Sequence, residues 1–189
     1  MKRLSIKDQE TRFSSPWTIK ERSKVFLWHF VWLILFRTSP KYFYRWRNIL
    51  LRIFGAKISS TSYVAPSAII KMPWNLKMEN RACIGPNAEA YNLAPLILRE
   101  NSVVAQHVYL CGGTHDFSQK NWPLSVGIIE IGKNSFVGVR ALILPGVLIG
   151  DNSIVGAGSV LTTDVEQNSI VAGNPARLIK SSNIKNDQL

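Results

Sequence analysis

From Ile131 onward a branched aliphatic residue recurs at every sixth position: Ile131, Val137, Ile143, Ile149, Val155 and Leu161. Four residues after each stands a compact side chain: Ser135, Ala141, Val147, Ser153, Ser159 and Val165. The residue following the aliphatic is Gly132, Gly138, Leu144, Gly150, Gly156 or Thr162. Neither a helical period nor strand alternation produces a phase-locked six. One short strand plus a tight corner does. The aliphatic and the compact residue point inward, and Gly, Asn and Asp supply the corner conformations. Three such units make a triangular coil of about 18 residues, and coils stacked by parallel pairing make a solenoid.

The same spacing is present earlier, in Ile58, Val64, Ile70 and Leu76, and again in Leu98, Val104 and Leu110. The frame slips twice, between Leu76 and Leu98 and between Leu110 and Ile131. Slips are tolerated where chain leaves the coil as a loop. The second contains the polar and aromatic stretch Asp116–Ser125, so residues 116–128 are expected to form an extruded loop. Loops held on a rigid scaffold are where function concentrates. The repeat is thus assigned to residues 58–180, followed by a flexible polar tail over 181–189.

Residues 1–57 follow a different pattern. Ser39-Pro40 has the form of an N-cap followed by Pro at N1, and Tyr42/Phe43, Trp46, Ile49/Leu50 and Ile53/Phe54 then recur at helical spacing up to Gly55, a fitting C′ residue. An earlier helix is expected after Ser15-Pro16, taking in the apolar run Val25–Phe36. That run is too short to span a bilayer, which takes about 20 residues. No signal-peptide pattern is seen, so a cytoplasmic location is expected. The net charge of +11 is concentrated here: residues 1–57 hold 13 of the 23 Lys/Arg and 3 of the 12 acids. No nucleic-acid-binding module accompanies that charge. Two readings remain: a helical cap over the open end of the solenoid, or an interfacial pair placing residues 16–54 on an anionic membrane at the inner face of the cell membrane.

Two cysteines exclude a disulfide-dense scaffold and a four-cysteine zinc site. There is no P-loop, dinucleotide fingerprint or zincin motif. Of the three His, His29 lies in the apolar run, and His107 follows Gln106 at a corner position. His115 ends a hexad at the root of the extruded loop.

Residues 58–180 resemble the hexapeptide-repeat acyltransferases. Tyr109-Leu110-Cys111-Gly112-Gly113-Thr114-His115-Asp116, Gly156-Ala157-Gly158-Ser159, Thr162-Thr163-Asp164 and Val171-Ala172-Gly173-Asn174-Pro175-Ala176-Arg177 are similar to the maltose/galactoside O-acetyltransferase branch. Phe54-Gly55-Ala56-Lys57-Ile58 and Pro73-Trp74-Asn75-Leu76, with the basic front end, resemble more closely the colanic-acid-type exopolysaccharide acetyltransferases. The resemblance implies a mainly β fold, a left-handed parallel β-helix with an N-terminal α-helical segment, assembled as a homotrimer with clefts between prisms. It implies transfer of an acetyl group from acetyl-CoA to a saccharide hydroxyl, without a metal, in exopolysaccharide biosynthesis. A lipid-linked acceptor would explain the front end.

The resemblance places His115 as general base, a role suited to a side chain of unperturbed pKa near 6.5. Asn92 stands where the family contacts the acceptor hydroxyl; Asp116 and Trp122 are candidate acceptor residues beside it. For the donor it implies Phe136, Gly138, Ala157 and Gly158 along the pantetheine arm, Thr162 and Thr163 beyond them, and Arg177 and Lys180 toward the phosphates. Thr163 and Val139 depart from the family's usual Lys and small polar residue. Rival activities on this fold are a γ-type carbonic anhydrase, which needs three zinc-binding His, and a streptogramin-type xenobiotic acetyltransferase. A non-enzymatic scaffold is the third alternative.

Overall fold

The structure, a computed structural model, describes residues 3–5 and 17–182. From Lys57 onward, short parallel strands stack into the three faces of a prism. The first face holds Lys57–Ile58, Leu76–Met78, Leu96–Leu98, Ile129–Ile131 and Leu148–Ile149. The second holds Tyr63–Val64, Cys83–Ile84, Val103–Val104, Phe136–Val137, Ile154–Val155 and Ser169–Gly173. The third holds Ile69–Ile70, Glu89–Tyr91, Tyr109–Cys111, Leu142–Ile143 and Val160–Leu161. The expected β-helix is therefore present. Its inward residues form three buried ladders: Ile58, Met78, Leu98, Ile131, Ile149 and Val165; Val64, Ile84, Val104, Val137, Val155 and Val171; Ile70, Ala90, Leu110, Ile143 and Leu161.

The register corrects one detail of the hexad count. Leu76 is buried, but the ladder residue is Met78, because two extra residues enter between the third and first faces. Ladder steps at that corner run from Ile70 to Met78, Ala90 to Leu98, Leu110 to Ile131, Ile143 to Ile149 and Leu161 to Val165. Within the ladders, every step across the other two corners keeps the spacing of six. All insertion and deletion in the repeat is thus confined to one edge of the prism.

The regular corners are built from left-handed residues. Arg81, Asn101, Asn134, Asn152 and Asn168 stack at the first corner, with φ between 54° and 57°. The side-chain amides of Asn101, Asn134, Asn152 and Asn168 hydrogen-bond in sequence at 2.9, 3.2 and 3.1 Å. Asn87, His107, Arg140 and Gly158 occupy the equivalent places at the second corner. His107 is accounted for by that position. Buried Ser135, Ser153 and Ser159 hydrogen-bond to the backbone of the next coil.

The first coil would present an unpaired edge of carbonyls, an exposed template for aggregation. Two N-terminal helices cover it with side-chain donors. Helix α1 (Ile19–Val31) is opened by a capping box between Thr18 and Glu21, and continues into a π-helical turn, Trp32–Phe36. Trp28, Trp32 and Phe36 are four apart, a step that overshoots a regular turn by about 40°; the wider π turn keeps all three on the coil. Trp28 Nε1 donates to Ile70 O at 2.6 Å and Trp32 Nε1 to Ala68 O at 2.8 Å. Helix α2 (Tyr44–Ile53) sends Arg47 Nε to Val64 O at 2.7 Å, Asn48 Nδ2 to Ser62 O at 2.9 Å, and Arg52 to Ile58 O. The carbonyls of Ile58, Val64 and Ile70, one on each face, are all satisfied. A buried, unsatisfied carbonyl would cost about 1–3 kcal/mol each. Gly55, at φ 96°, closes α2 in a Schellman motif: its N–H bonds to Arg52 O and that of Ala56 to Leu51 O.

Three expectations for this segment change. Helix α2 starts at Tyr44, not at Ser39-Pro40, because the buried Arg47 guanidinium holds Ser39 Oγ, Pro40 O and Lys41 O in a non-helical turn. Helix α1 starts after Thr18; Ser15-Pro16 lies outside the described residues. An N-terminal strand, Arg3–Ser5, occurs where only helix was anticipated. At the opposite end Ala176–Ser181 folds back antiparallel on Ser169–Gly173, and Ser182 is buried. The rest of the tail, 183–189, lies outside the described residues.

Candidate active site

The irregular edge carries its own small core. Met72, Leu93, Ala94, Leu124 and Val126 are buried together, with Trp17, Val25, Trp74 and Tyr91 packed around them. Pro73–Asn75 forms a 3₁₀ turn there, and Asn75 Nδ2 donates to the carbonyls of Asn92 and Leu93, both at 3.1 Å. In the third coil Gly112 lies so close to the coil below that a Cβ would sit 2.6 Å from Tyr91 O. Past that point the chain leaves the prism as an antiparallel hairpin, Gly113–His115 against Leu124–Gly127, and Arg3–Ser5 adds a third strand. The expected loop over 116–128 is therefore a hairpin tip over 116–123 followed by a buried return strand.

His115 ends the outgoing strand and is exposed. Its Nδ1 lies 2.7 Å from Trp122 O. A carbonyl only accepts, so Nδ1 carries the proton, and the lone pair of a neutral ring is on Nε2. Trp122 is held at φ 45°, and its ring meets Phe117 edge-on with centroids 5.5 Å apart. Both rings are exposed, leaving an aromatic surface beside the histidine.

Two expected acceptor residues are engaged in hydrogen bonds within the fold. Asn92 is 2% exposed, and its amide brackets the backbone of Met72: Oδ1 accepts from Met72 N at 2.9 Å and Nδ2 donates to Met72 O at 2.7 Å. It ties two successive corners together rather than presenting an open amide. The Asp116 carboxylate accepts from Ser118 N, Ser118 Oγ and Gln119 Nε2 at 3.0, 2.6 and 2.7 Å. These bonds, led by the Ser118 hydroxyl, hold its pKa below the usual carboxylate value. Asp116 shapes the hairpin tip, and the ring of His115 is held by Trp122 O.

Sequence reasoning passed over Tyr91 and Tyr109. They stack on the third face with centroids 6.3 Å apart, below the hairpin root. Burial, then Cys111, Glu89 and Tyr91, push Tyr109 up to about 12, so both remain neutral hydrogen-bonding phenols at physiological pH. Their outward positions beside the ladder residues Ala90 and Leu110 were the available signal. The Cys111 thiol is directed to Gly113 O at 3.1 Å.

The expected donor residues fall into two groups within one chain. Gly138, Ala157 and Gly158 share the second corner, where Gly158 N donates to Val139 O, and Phe136 is exposed on the adjoining second face. A Cβ on Gly138 would meet Val155 O at 2.6 Å, so glycine is required there by coil stacking alone. Thr162, Thr163 and Arg177 instead line a groove of about 310 Å³ at the far end of the prism, together with Glu166 and Ser169. Lys180, on the same strand as Arg177, pairs with Ile170 and does not line it.

Residues 128–163 match the family model described as the hexapeptide repeat of succinyl-transferase. The putative colanic acid biosynthesis acetyltransferase WcaF of Escherichia coli (strain K12) is 37% identical over 157 residues, covering 83% of this chain and 86% of that protein. A galactoside acetyltransferase solved in complex with coenzyme A superposes with a TM-score of 0.75 at 26% identity, over 89% of this chain and 86% of that one. A maltose O-acetyltransferase from Clostridium difficile 630 shares the fold, with a TM-score of 0.77 at 23% identity over 87% of this chain and 89% of that one. With the repeat, its edge hairpin and these likenesses together, the chain belongs to the hexapeptide-repeat acyltransferases, in the branch that holds the colanic-acid-type and galactoside acetyltransferases.

Proposed function

We propose that this protein transfers an acetyl group from acetyl-CoA to a hydroxyl of a saccharide during exopolysaccharide assembly, with His115 as the general base. The observation that carries the assignment is the Nδ1 bond from His115 to Trp122 O. It leaves Nε2 as the basic atom of a neutral ring, on an exposed strand end beside two aromatic faces. Nε2 takes the proton of the acceptor hydroxyl as its oxygen attacks the thioester carbonyl. Collapse of the tetrahedral intermediate breaks the C–S bond, and the proton held on Nε2 passes to the departing thiolate. Trp122 and Phe117 provide apolar surface for the face of a sugar ring, and Trp122 also fixes the base through its carbonyl.

The same reading extends to the assembly. One chain separates the second-corner group, Phe136, Gly138, Ala157 and Gly158, from the end groove with Thr162, Thr163 and Arg177. A homotrimer would let the donor run between neighbouring prisms, with His115 from one subunit and part of the donor wall from the next. Arg177 is the candidate phosphate partner; Lys180 is a weaker one, since it stands outside the groove.

For the front end we propose peripheral contact with an anionic membrane and a lipid-linked acceptor. No helix among the described residues is long and apolar enough to cross a membrane. The inner sides of α1 and α2 cap the solenoid. The outer side of these helices and of the turns joined to them leaves Phe26, Phe30, Leu33, Tyr42, Ile49 and Ile53 exposed, an apolar surface that, with the nearby Lys20, Lys41 and Arg45 in sequence, suits an interfacial element.

The deciding assay follows thiol release from acetyl-CoA with saccharide acceptors, for the wild type and His115→Ala. Acceptor-dependent release that vanishes in the variant supports the assignment. Equal release by both proteins removes His115 from the chemistry.

A further inference from the structure

The largest cleft among those described lies away from both donor groups, between α1 and the third face of the first two coils. It encloses about 580 Å³. Its walls are mostly apolar: Val25, Phe26, Trp28 and Trp32 on the helix side, Ile69 and Ile70 on the coil side. Helix α1 is pinned across it at two places, by the Trp28 hydrogen bond to Ile70 O and by Lys24 Nζ, 4.1 Å from the centroid of the Trp74 ring. The cleft is therefore a built feature of the cap, not a gap left by loose packing.

Three observations say what fits it. Arg22 and Lys71 both line the cleft, and neither is ion-paired among the described residues. Glu89 and the His29 imidazole face the same space, so two fixed cations stand against one carboxylate. Phe26 belongs both to the cleft and to the exposed outer face of the cap, at 76% exposure, which opens the cleft sideways onto that face. At its other limit the cleft reaches Met72, Tyr91 and Leu93, which pack with the return strand of the His115 hairpin.

We propose that this cleft binds the lipid portion of the acceptor: a hydrocarbon chain lying along α1, with its phosphate held by Arg22 and Lys71. The inference rests on the acceptor being lipid-linked, as proposed above. It assigns α1 two roles, wall of the site and entry from the membrane. An apolar chain is stabilised by the surface it buries, and a phosphate gains charge-assisted hydrogen bonds from Arg.

The test titrates the full-length protein with dodecyl phosphate below its micelle concentration, beside dodecanol and inorganic phosphate, by calorimetry. Dodecyl phosphate should bind saturably at one site per subunit, and both controls at least tenfold more weakly. Arg22→Glu with Lys71→Glu should weaken binding at least tenfold, and Ile69→Trp should block it by filling the cleft. Phe30→Ser with Leu33→Ser, on the outer face only, should leave it unchanged while lowering partition onto vesicles of phosphatidylglycerol. Binding lost in the outer-face variant but kept in the cleft variants would overturn the proposal, as would equal binding of inorganic phosphate. Coenzyme A titration of each variant confirms that it is folded. It also separates the two hypotheses: absent coenzyme A binding beside normal dodecyl phosphate binding strikes the transferase reading, and the reverse strikes the cleft.

Discussion

The two regular corners of the prism and its third corner are made from the same repeat but treat it differently. At the regular corners each coil repeats the last, with Asn101, Asn134, Asn152 and Asn168 in one column and Asn87, His107, Arg140 and Gly158 in the other. At the third corner almost every coil differs, and there the molecule gathers a small second core, a hairpin, His115 and one wall of the α1 cleft. A stacked coil tolerates variation only where strand pairing above and below is not disturbed. Collecting all variation on one edge leaves three continuous ladders intact. Changes at the first corner and in the α2 cap should therefore alter stability and spare turnover, and changes at the third corner should reach the chemistry.

The largest effect expected is on turnover. His115→Ala should lower it by about 10²–10⁴, with the melting temperature unchanged, since the side chain is exposed and its partner Trp122 O can turn to water. Coenzyme A affinity, measured by titration, should stay at the wild-type value. A melting shift of several degrees with little loss of rate would make the third corner structural like the others.

Arg47→Ala tests the opposite prediction. It removes donors from Val64 O, Pro40 O and Lys41 O in a fully buried site, and should cost about 3 kcal/mol or more, read from chemical denaturation. The rate per folded molecule should not change. Burial alone lowers the Arg47 pKa, and Tyr63 opposes the shift; the guanidinium remains charged across the usable pH range. A methionine at 47 would restore volume without donors, so a comparable loss there would assign the effect to the uncapped carbonyls.

Asn92→Ala sharpens the boundary between the two behaviours. As a bracket on Met72 the side chain should be worth about 1–3 kcal/mol, and its loss should lower kcat through the adjoining hairpin. If Asn92 instead served the acceptor directly, KM for the saccharide would rise while the melting temperature held.

How much of this the amino-acid order revealed follows the same division. The hexads identified the fold, because a ladder position admits only a buried apolar side chain and the corner beside it only a few residue types. They failed at Leu76, since a two-residue insertion moves a leucine to a place that is also buried and also aliphatic. The start of α2 was misplaced for a different reason: Ser-Pro is a sound local signal, overridden here by a guanidinium seven to eight residues later. At the site, the position of His115 at the root of the excursion was visible in the sequence. The hydrogen bonds of Asn92 and Asp116 within the fold were not, because a bracketing amide and a turn-forming carboxylate leave the same letters as ligands do. The pairing of Arg3–Ser5 with the hairpin depends on two segments far apart in sequence and has no periodic signature.

The smallest effect expected lies in the asparagine column, and it separates two causes that the repeat combines. Asn152 sits at φ 56°, gives a hydrogen bond to Asn168 and receives one from Asn134. Asn152→Ala loses both bonds and adds the left-handed penalty of about 1–2 kcal/mol. Asn152→Gly loses the same bonds but meets no such penalty. The difference between the two variants in a denaturant titration is therefore mainly the backbone term, and the loss in the glycine variant bounds the column of amides at under about 1 kcal/mol, as expected for exposed hydrogen bonds. If glycine costs as much as alanine, the amide column rather than the turn conformation selects asparagine. The regular corners would then be specified by contacts between coils, as the third corner is.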